Sequence, residues 1–174
     1  MRDILIVVDM QKDFIDGSLG TAEAVAIVES VKKKIEEYRK AGKKVYFTAD
    51  THFDNYMETF EGEHLPVKHC IEGEEGWKVA KELRDYVTED NLIKKLTFGY
   101  IKWDELIGKE APAGGIELCG LCTDICVISN VLILKSWFYD CAEFTVDSSC
   151  CAGVTPEKHQ AALEVMKSCQ INVI

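Results

Sequence analysis

Three residue types with reactive chemistry stand at the ends of apolar runs in this 174-residue chain. Asp9 directly follows the apolar run 4–8, and Cys126 follows the run 116–121 and a short turn. A carboxylate in such a position is partly shielded from water, which raises its pKa and suits it to proton transfer. The helix dipole at the start of the following helix, and an ammonium such as that of Lys95, would lower the pKa of the Cys126 thiol. The three residues together predict nucleophilic attack on a carbonyl.

Each of these residues also has a purely structural interpretation. Asp9 can cap the turn after its strand, and Cys126 can pack as a small hydrophobic residue. The lysine that ends the run at 92–93 can be a solvated surface residue, for which Lys94 is the natural candidate. The pair Cys119-x-x-Cys122 has no second pair to complete a zinc–thiolate site, so such a site is disfavoured. The remaining cysteines are interpreted as packing residues: Cys70, Cys141, Cys150, Cys151 and Cys169.

A second polar group combines histidines with carboxylates. Its members are Asp50, His52, Glu61, His64 and His69. Two histidines with one or two carboxylates suit Zn, Fe or Mn with coordination positions left open. They lie in the segment 50–76, which shows no clear period and is typical of either a functional or a disordered loop. The residues alone leave a metal site and an ordinary polar loop as alternatives.

The elements that must position these residues alternate between strands and helices. The hydrophobic pattern predicts strands at Ile4–Val8, Val45–Ala49, Leu92–Ile93, Ile116–Leu121, Phe144–Val146 and Ile171–Ile174. It predicts a helix with an apolar stripe from Ala24 to Tyr38 that ends at Gly42, and helices at Trp77–Tyr86, Trp103–Ile107 and from Thr123 or Asp124 to about Trp137. It predicts a last helix from Thr155-Pro156 onward, lined by Ala162, Val165, Met166 and Cys169. Such alternation predicts a three-layer α/β/α, Rossmann-like fold with a mainly parallel sheet. Ligands of such sheets bind beyond the carboxyl ends of the strands, so the polar residues there are expected to converge.

Composition excludes several classes of protein. A net charge of −10 argues against nucleic-acid binding, which needs clustered Lys and Arg. No apolar run reaches the roughly 20 residues of a membrane span, and the N-terminal residues do not resemble a signal peptide. Eight cysteines in this context indicate free thiols and a cytoplasmic location. The length predicts one domain spanning residues 1–174.

Four motifs in order resemble those of the isochorismatase-like cysteine hydrolases. Residues 9–14, D-M-Q-K-D-F, resemble the family's D-x-Q-x-D-F, and residues 120–127, G-L-C-T-D-I-C-V, resemble its G-x-x-T-D-x-C-V. Residues 50–52, D-T-H, and the pair 69–70, H-C, resemble its metal-binding segments. Asp147, placed after the late strand, and the Thr155-Pro156 helix also match. The resemblance covers nearly the whole chain.

The resemblance implies a role for each matching position. It implies catalytic Asp9, Lys95 and Cys126, and an oxyanion hole formed by the backbone N–H groups of Cys122 and Cys126, with a cis peptide bond between Leu121 and Cys122. The implied substrate contacts are Phe14, Leu65, Phe98 and Tyr100, of which Phe98 and Tyr100 are alternatives for one wall. The implied ligands of one divalent ion, Zn before Fe or Mn, are Asp50, His52, Glu61 and His69, with Glu63 and His64 as rivals of Glu61.

The implied activity is that of a cysteine amidohydrolase acting on a small amide through a thioester. Nicotinamide is the leading candidate, although Leu65 stands where nicotinamidases usually place an aromatic residue. The alternatives are another amide or carbamoyl compound, such as an N-carbamoyl amine or ureidoacrylate, and a catalytically silent metal-binding member of the same fold. The resemblance also implies a homo-oligomer, either a dimer or a tetramer.

Overall fold

Six parallel strands form the central sheet of the structure, a computed structural model that describes residues 2–108 and 114–174. The sheet order is β3-β2-β1-β4-β5-β6. The strands are β1 (Ile4–Val8), β2 (Lys44–Asp50), β3 (Leu92–Lys95), β4 (Ile116–Leu121), β5 (Phe144–Ala152) and β6 (Asn172–Val173). The α-helices are α1 (Lys12–Ile15), α2 (Ala22–Lys40), α3 (Phe60–His64), α4 (Trp103–Ile107), α5 (Ile128–Trp137) and α6 (Pro156–Ser168). The predicted α/β fold with a parallel sheet is confirmed.

The two central strands, β1 and β4, create the crevice in which a site can form. Both are buried along their whole length, as continuous apolar runs predict. The chain leaves β1 toward β2 on one side and returns at β4 on the other, so the carboxyl ends of β1 and β4 flank a switch point. Gly120 has a φ of 117°, and a Cβ there would lie 2.2 Å from the carbonyl oxygen of Val8. Only glycine permits this close approach of the two strands.

Helix α2 covers the sheet with the predicted apolar stripe. Its buried residues include Ala24, Val28, Val31, Ile35 and Tyr38. The Thr21 side chain accepts a hydrogen bond from the Ala24 N–H at 3.0 Å and caps the helix. Helix α6 begins as predicted, with Thr155 as N-cap and Pro156 in its first turn. Val165 was expected in the buried face of α6 but is exposed, and Leu163 is buried instead.

The helix predicted over residues 77–86 is wrong in its first half. Only Lys81–Tyr86 is helical, and it is a 3₁₀-helix. The backbone before it pairs with the turn after β1 instead: Ala80 N–H donates to the Met10 carbonyl at 2.8 Å, and Val79 bridges Gln11. These contacts engage backbone N–H and carbonyl groups that would otherwise form the hydrogen bonds of a helix. A tertiary interaction therefore overrides the local hydrophobic pattern.

Two further boundaries differ from the sequence prediction. The late strand does not end at Val146 but continues to Ala152, so Asp147 lies within β5 rather than after it. The polar run after Val146 suggested a strand end, yet β5 continues past an irregularity in its pairing, with Cys151 opposite Gly120. Thr123–Val127 forms a π-helical turn before α5. In the segment 50–76, short helical pieces at Tyr56–Glu58 and Phe60–His64 interrupt the loop.

None of the helices in the described ranges, 2–108 and 114–174, is long and apolar enough to cross a membrane.

Candidate active site

Asp9 is held rigidly at the carboxyl end of β1. Its side chain is fully buried, and its backbone adopts a left-handed conformation with a φ of 46°, which is rare for residues other than glycine, asparagine and aspartate. The Thr48 hydroxyl donates to Asp9 Oδ1 at 2.6 Å and accepts from the Asp9 N–H at 3.2 Å. Burial raises the pKa of Asp9, and the neighbouring Lys95 opposes that rise. A carboxylate with this environment is a candidate general base.

Lys95 connects the groups at the strand ends. Its Nζ lies 2.7 Å from Asp9 Oδ2, 3.1 Å from Asp50 Oδ1 and 3.5 Å from Cys126 Sγ, and its side chain is 1% exposed. The Lys95 ammonium is the ion-pair partner of Asp9 Oδ2, whereas Asp9 Oδ1 accepts from the Thr48 hydroxyl. Burial alone would lower the pKa of Lys95, but its anionic neighbours outweigh burial and raise it. Lys94, by contrast, is exposed and pairs with Glu72.

Cys126 lies on the π-helical turn that follows β4. It is buried, and its carbonyl accepts a hydrogen bond from the Asn130 side chain at 2.8 Å. The sequence argument that the helix start and a lysine lower its pKa is wrong: burial, and next the Asp9 carboxylate, raise the pKa of the thiol, and Lys95 only partly opposes them. Use of this thiol as a nucleophile requires a base, and Asp9 contacts the same Lys95 ammonium as Cys126 Sγ does.

The proposed metal ligands converge beside this group. One donor atom each from Asp50, His52, Glu61 and His69 lies within 4.8 Å of the others. His52 Nε2 is 3.1 Å from Asp50 Oδ2 and 3.7 Å from Glu61 Oε1. His69 Nε2 is 3.7 Å from Asp50 Oδ2 and 3.8 Å from Glu61 Oε1.

These distances suit one small divalent ion. Donors bound tetrahedrally at about 2.0–2.2 Å lie about 3.3–3.6 Å apart, close to the observed separations. His69 Nδ1 is 2.8 Å from the Val67 carbonyl, which fixes Nδ1 as donor and leaves Nε2 free to coordinate. The two rivals of Glu61 lie outside the cluster: His64 is exposed, with Nδ1 2.8 Å from the Phe60 carbonyl, and Glu63 is exposed. Asp50 directs Oδ2 toward the histidines of the cluster and Oδ1 toward Lys95.

A cavity of about 360 Å³ opens onto both the thiol and the metal cluster. Its walls include the predicted contacts Phe14, Leu65 and Phe98, and Cys122 and Cys126 line it together. Tyr100 is not among the lining residues; its ring packs against Trp103 at 5.1 Å. Lys158, at the start of α6, also lines the cavity, and no carboxylate of the described residues lies within ion-pair distance of it. The peptide bond between Leu121 and Cys122 is cis.

Sequence reasoning missed several residues that support the site. Asn130 is buried on α5 and joins the Cys126 carbonyl to the loop at Phe98, donating to the Phe98 carbonyl at 3.1 Å. Thr48 fixes Asp9, and the signal for it was a single polar residue inside an otherwise buried strand. Lys158 had no signal, because a lysine in the first turn of a helix resembles an ordinary surface residue.

Comparison with known proteins identifies the family and the fold. The family model described as the isochorismatase domain matches residues 3–174. A pyrazinamidase of Pyrococcus horikoshii in complex with zinc is 24% identical, with a TM-score of 0.80 over 100% of this chain and 99% of that one. A nicotinamidase/pyrazinamidase from Bacillus subtilis is 23% identical, with a TM-score of 0.75 over 99% of each chain.

An N-carbamoylsarcosine amidase from Thermoplasma acidophilum is 23% identical, with a TM-score of 0.73 over 99% of this chain and 95% of that one. No curated protein matches the chain. Identities this low show the common fold and leave the substrate to be inferred from the site itself.

Proposed function

The chain belongs to the isochorismatase family of hydrolases, and we propose that it is a cysteine amidohydrolase acting on a small amide. The observation that carries this proposal is the convergence of Asp9, Lys95 and Cys126 at one cavity, with Lys95 Nζ 2.7 Å from Asp9 Oδ2 and 3.5 Å from Cys126 Sγ. Cys126 supplies the nucleophile, Asp9 the base, and the Lys95 ammonium orients both. These are groups that covalent acyl transfer requires.

The first half of the reaction forms a thioester. Asp9 Oδ2 takes the proton of the Cys126 thiol as Sγ attacks the amide carbonyl carbon. The carbonyl oxygen becomes an oxyanion, for which the backbone N–H groups of Cys122 and Cys126 are the proposed donors. The carbon–nitrogen bond then breaks, and the leaving nitrogen takes the proton from Asp9 and departs as ammonia or an amine.

The second half releases the acid. Asp9 deprotonates a water molecule, whose oxygen attacks the thioester carbonyl, and the carbon–sulfur bond breaks. The proton held by Asp9 returns to Cys126 Sγ. Lys95 remains an ammonium throughout, because its anionic neighbours raise its pKa. It holds the Asp9 carboxylate and the Cys126 sulfur close to one another.

The proposed cofactor is one divalent ion, Zn before Fe or Mn, held by Asp50, His52, Glu61 and His69. Bound there, such an ion would supply a Lewis-acidic position facing the cavity. The His52→Ala variant is expected to lose the ion, and Glu61→Ala to bind Zn²⁺ at least tenfold more weakly. The matched change His64→Ala should leave Zn²⁺ affinity within about twofold. Equal Zn²⁺ content in wild type and His52→Ala would move the site elsewhere.

Nicotinamide is the leading substrate candidate. Phe14 and Phe98 offer aromatic surface in the cavity wall, and the metal cluster faces the same space. Leu65 lacks the π surface that adds about 0.5–1.5 kcal/mol to an aromatic pair, a loss of roughly tenfold or less in transition-state binding. We therefore expect measurable nicotinamide hydrolysis with a high KM. Leu65→Trp should raise kcat/KM if the cavity admits the larger side chain.

Lys158 favours a second candidate, a carbamoyl compound that carries a carboxylate. Lys158 is an exposed residue that lines an otherwise largely apolar cavity, and its ammonium offers a partner to an anionic substrate end. Ammonia release from Zn²⁺-loaded protein over nicotinamide, an aliphatic amide and N-carbamoyl amino acids separates the candidates. Lys158→Met should lower kcat/KM about tenfold for the carbamoyl acids and leave nicotinamide unchanged. No hydrolysis of any of these compounds would instead favour a catalytically silent metal-binding protein.

The proposal also includes a homo-oligomer, dimer or tetramer, located in the cytoplasm. Light scattering of the purified chain measures the first, and cell fractionation the second.

A further inference from the structure

Two polar side chains on the turn after β1 remain outside the proposed chemistry. Gln11 and Asp13 belong to the same D-x-Q-x-D segment as the proposed base, yet neither is a proposed metal ligand or reactant. Gln11 is fully buried, and Asp13 is partly buried. Both make hydrogen bonds to backbone groups of the two segments that carry the metal ligands, and Asp13 Oδ1 also accepts from the Ser18 N–H at 3.3 Å.

Gln11 clamps the end of β2 at Asp50. Its Nε2 donates to the Asp50 carbonyl at 2.8 Å, and its Oε1 accepts from the Asp50 N–H at 2.7 Å. The same Nε2 donates to the Trp77 carbonyl at 2.8 Å. The amide therefore makes a two-bond contact with the backbone of one metal ligand, and its third bond ties that contact to the loop beyond.

Asp13 holds the turn that follows His69. Its Oδ2 accepts from the Cys70 N–H at 2.8 Å, and the Asp13 N–H donates to the Gly76 carbonyl at 3.0 Å. Cys70 has a φ of 48°, a left-handed conformation that a β-carbon disfavours, so an external contact is needed to keep the turn in this shape. A Cβ on Gly76 would lie 2.1 Å from Asp13 Oδ2, which shows how closely the loop wraps the carboxylate.

The turn held by Asp13 also fixes the second histidine. The His52 N–H donates to the Cys70 carbonyl at 2.9 Å, and the Glu72 N–H donates to the His52 carbonyl at 2.9 Å. Thus the Asp13 carboxylate positions His69 through the adjacent Cys70, and it positions His52 through the hydrogen bond between His52 and the same Cys70.

We propose that Gln11 and Asp13 are positioning residues for the metal cluster, with Gln11 setting Asp50 and Asp13 setting His52 and His69. This inference rests on the metal site of the proposed function. Outer contacts of this kind typically change metal affinity about 10–100-fold when they are removed.

The test measures Zn²⁺ affinity by competition with a chromogenic chelator, at a temperature where each metal-free variant is folded by circular dichroism. Gln11→Met and Asp13→Ala are expected to weaken Zn²⁺ binding about 10–100-fold. Asp13→Asn keeps one acceptor oxygen for Cys70 and should lose less than Asp13→Ala. Asp16→Asn, at an exposed carboxylate paired with Lys12, is the matched control and should stay within about twofold.

A second readout separates positioning from stability. A purely structural role lowers the melting temperature of the metal-free protein and leaves the Zn²⁺ dissociation constant of the folded protein unchanged, which overturns the inference. If Asp13→Ala does not fold, Gln11→Met and Asp13→Asn decide, because both preserve side-chain volume. If the wild-type protein binds no Zn²⁺, both the metal site and the inference are refuted. If the variants bind Zn²⁺ as tightly as the wild type does, the inference alone is refuted.

Discussion

Two lysines in this protein, the fully buried Lys95 and the partly buried Lys34, each face two carboxylates, but their surroundings differ. Lys95 lies between Asp9 and Asp50 at the carboxyl ends of the strands, with Cys126 Sγ 3.5 Å away. Lys34, on α2, pairs with Glu117 and lies 2.7 Å from Asp147. Either cluster alone would suggest a functional site to a search for buried charge.

The carboxylates of the Lys34 cluster are saturated by fixed donors. Glu117 Oε2 accepts from the Tyr38 hydroxyl at 2.6 Å, and Asp147 Oδ1 accepts from the Ser149 N–H at 2.9 Å and from its hydroxyl at 2.7 Å. In the Lys95 cluster, Asp9 Oδ2 contacts the ammonium at 2.7 Å and accepts from no hydroxyl or backbone N–H of the described residues. That oxygen shares its ammonium with Cys126 Sγ, whereas Lys34 contacts only Glu117 and Asp147 among the described residues.

The difference teaches which features distinguish a reactive cluster from a structural one. Both contain a lysine with a raised pKa, so the shift does not discriminate. In the Lys95 cluster the lysine contacts a thiol, that of Cys126 at 3.5 Å, and this thiol lines the same cavity as the metal cluster. The Lys34 cluster joins α2 to β4 and β5, three elements distant in sequence. Its contribution is expected in stability, and that of the Lys95 cluster in turnover.

The largest effect is expected at Cys126, the thiol that Lys95 contacts. Cys126→Ala should lower turnover of whichever amide proves to be the substrate by on the order of 10⁴-fold or more, because no other group takes over an essential nucleophile. Cys122→Ala, in the same cavity wall, is the control and should stay within about tenfold, since only its backbone N–H is used. Ammonia release measures both. A tenth of wild-type activity in Cys126→Ala would contradict a covalent mechanism.

A matched pair of lysine substitutions tests the comparison directly. Lys95→Met should lower kcat by about 10²–10³-fold, as expected for the loss of a charge that organises reacting groups. Lys34→Met should leave kcat/KM within about twofold and lower the free energy of unfolding by about 2–3 kcal/mol. Lys34 keeps 14% side-chain exposure, so the cost falls below the about 3–5 kcal/mol of a fully enclosed pair. Ammonia release and urea unfolding are measured on both variants. A large loss of kcat in Lys34→Met, or a kcat near that of wild type in Lys95→Met, would contradict the comparison.

The sequence predicted the fold well because the strands carry their signal locally. Continuous apolar runs specify β1 and β4, and the rule for ligand binding at strand ends selected Asp9 and Asp50 before any contact was known. The resemblance selected Lys95 over Lys94, and the structure places Lys95 in the buried cluster and Lys94 at the surface. Neither choice required packing information.

The errors arose where tertiary contacts decide. Residues 77–80 have a helix-compatible pattern, but their backbone groups pair with the turn after β1, which is distant in sequence. The thiol of Cys126 was expected to have a lowered pKa because the helix start is visible in the sequence, whereas the degree of burial that raises its pKa is not. Lys158 could not be found either, because the cavity that it lines is built from several separate segments.

The smallest expected effect is the pH dependence of the Lys34 cluster. Burial alone would raise the pKa of Asp147, but hydrogen bonds from Lys34 and Ser149 outweigh burial and lower it. A carboxyl whose pKa is lower in the folded than in the unfolded protein contributes stability that is present above the unfolded value, about 3.9, and is lost as the pH falls through the folded value. The difference in unfolding free energy between wild type and Asp147→Asn should therefore be constant from about pH 7 to pH 5 and shrink below about pH 4. Asp16→Asn, at an exposed pair, is the control and should change stability by less than about 1 kcal/mol.

Urea unfolding at a series of pH values measures these differences. A difference for Asp147→Asn that persists undiminished to pH 3 would show that its ion pair with Lys34 adds nothing to stability. Turnover of Asp147→Asn at pH 7 should equal that of wild type, because no group of this cluster touches Asp9, Lys95 or Cys126.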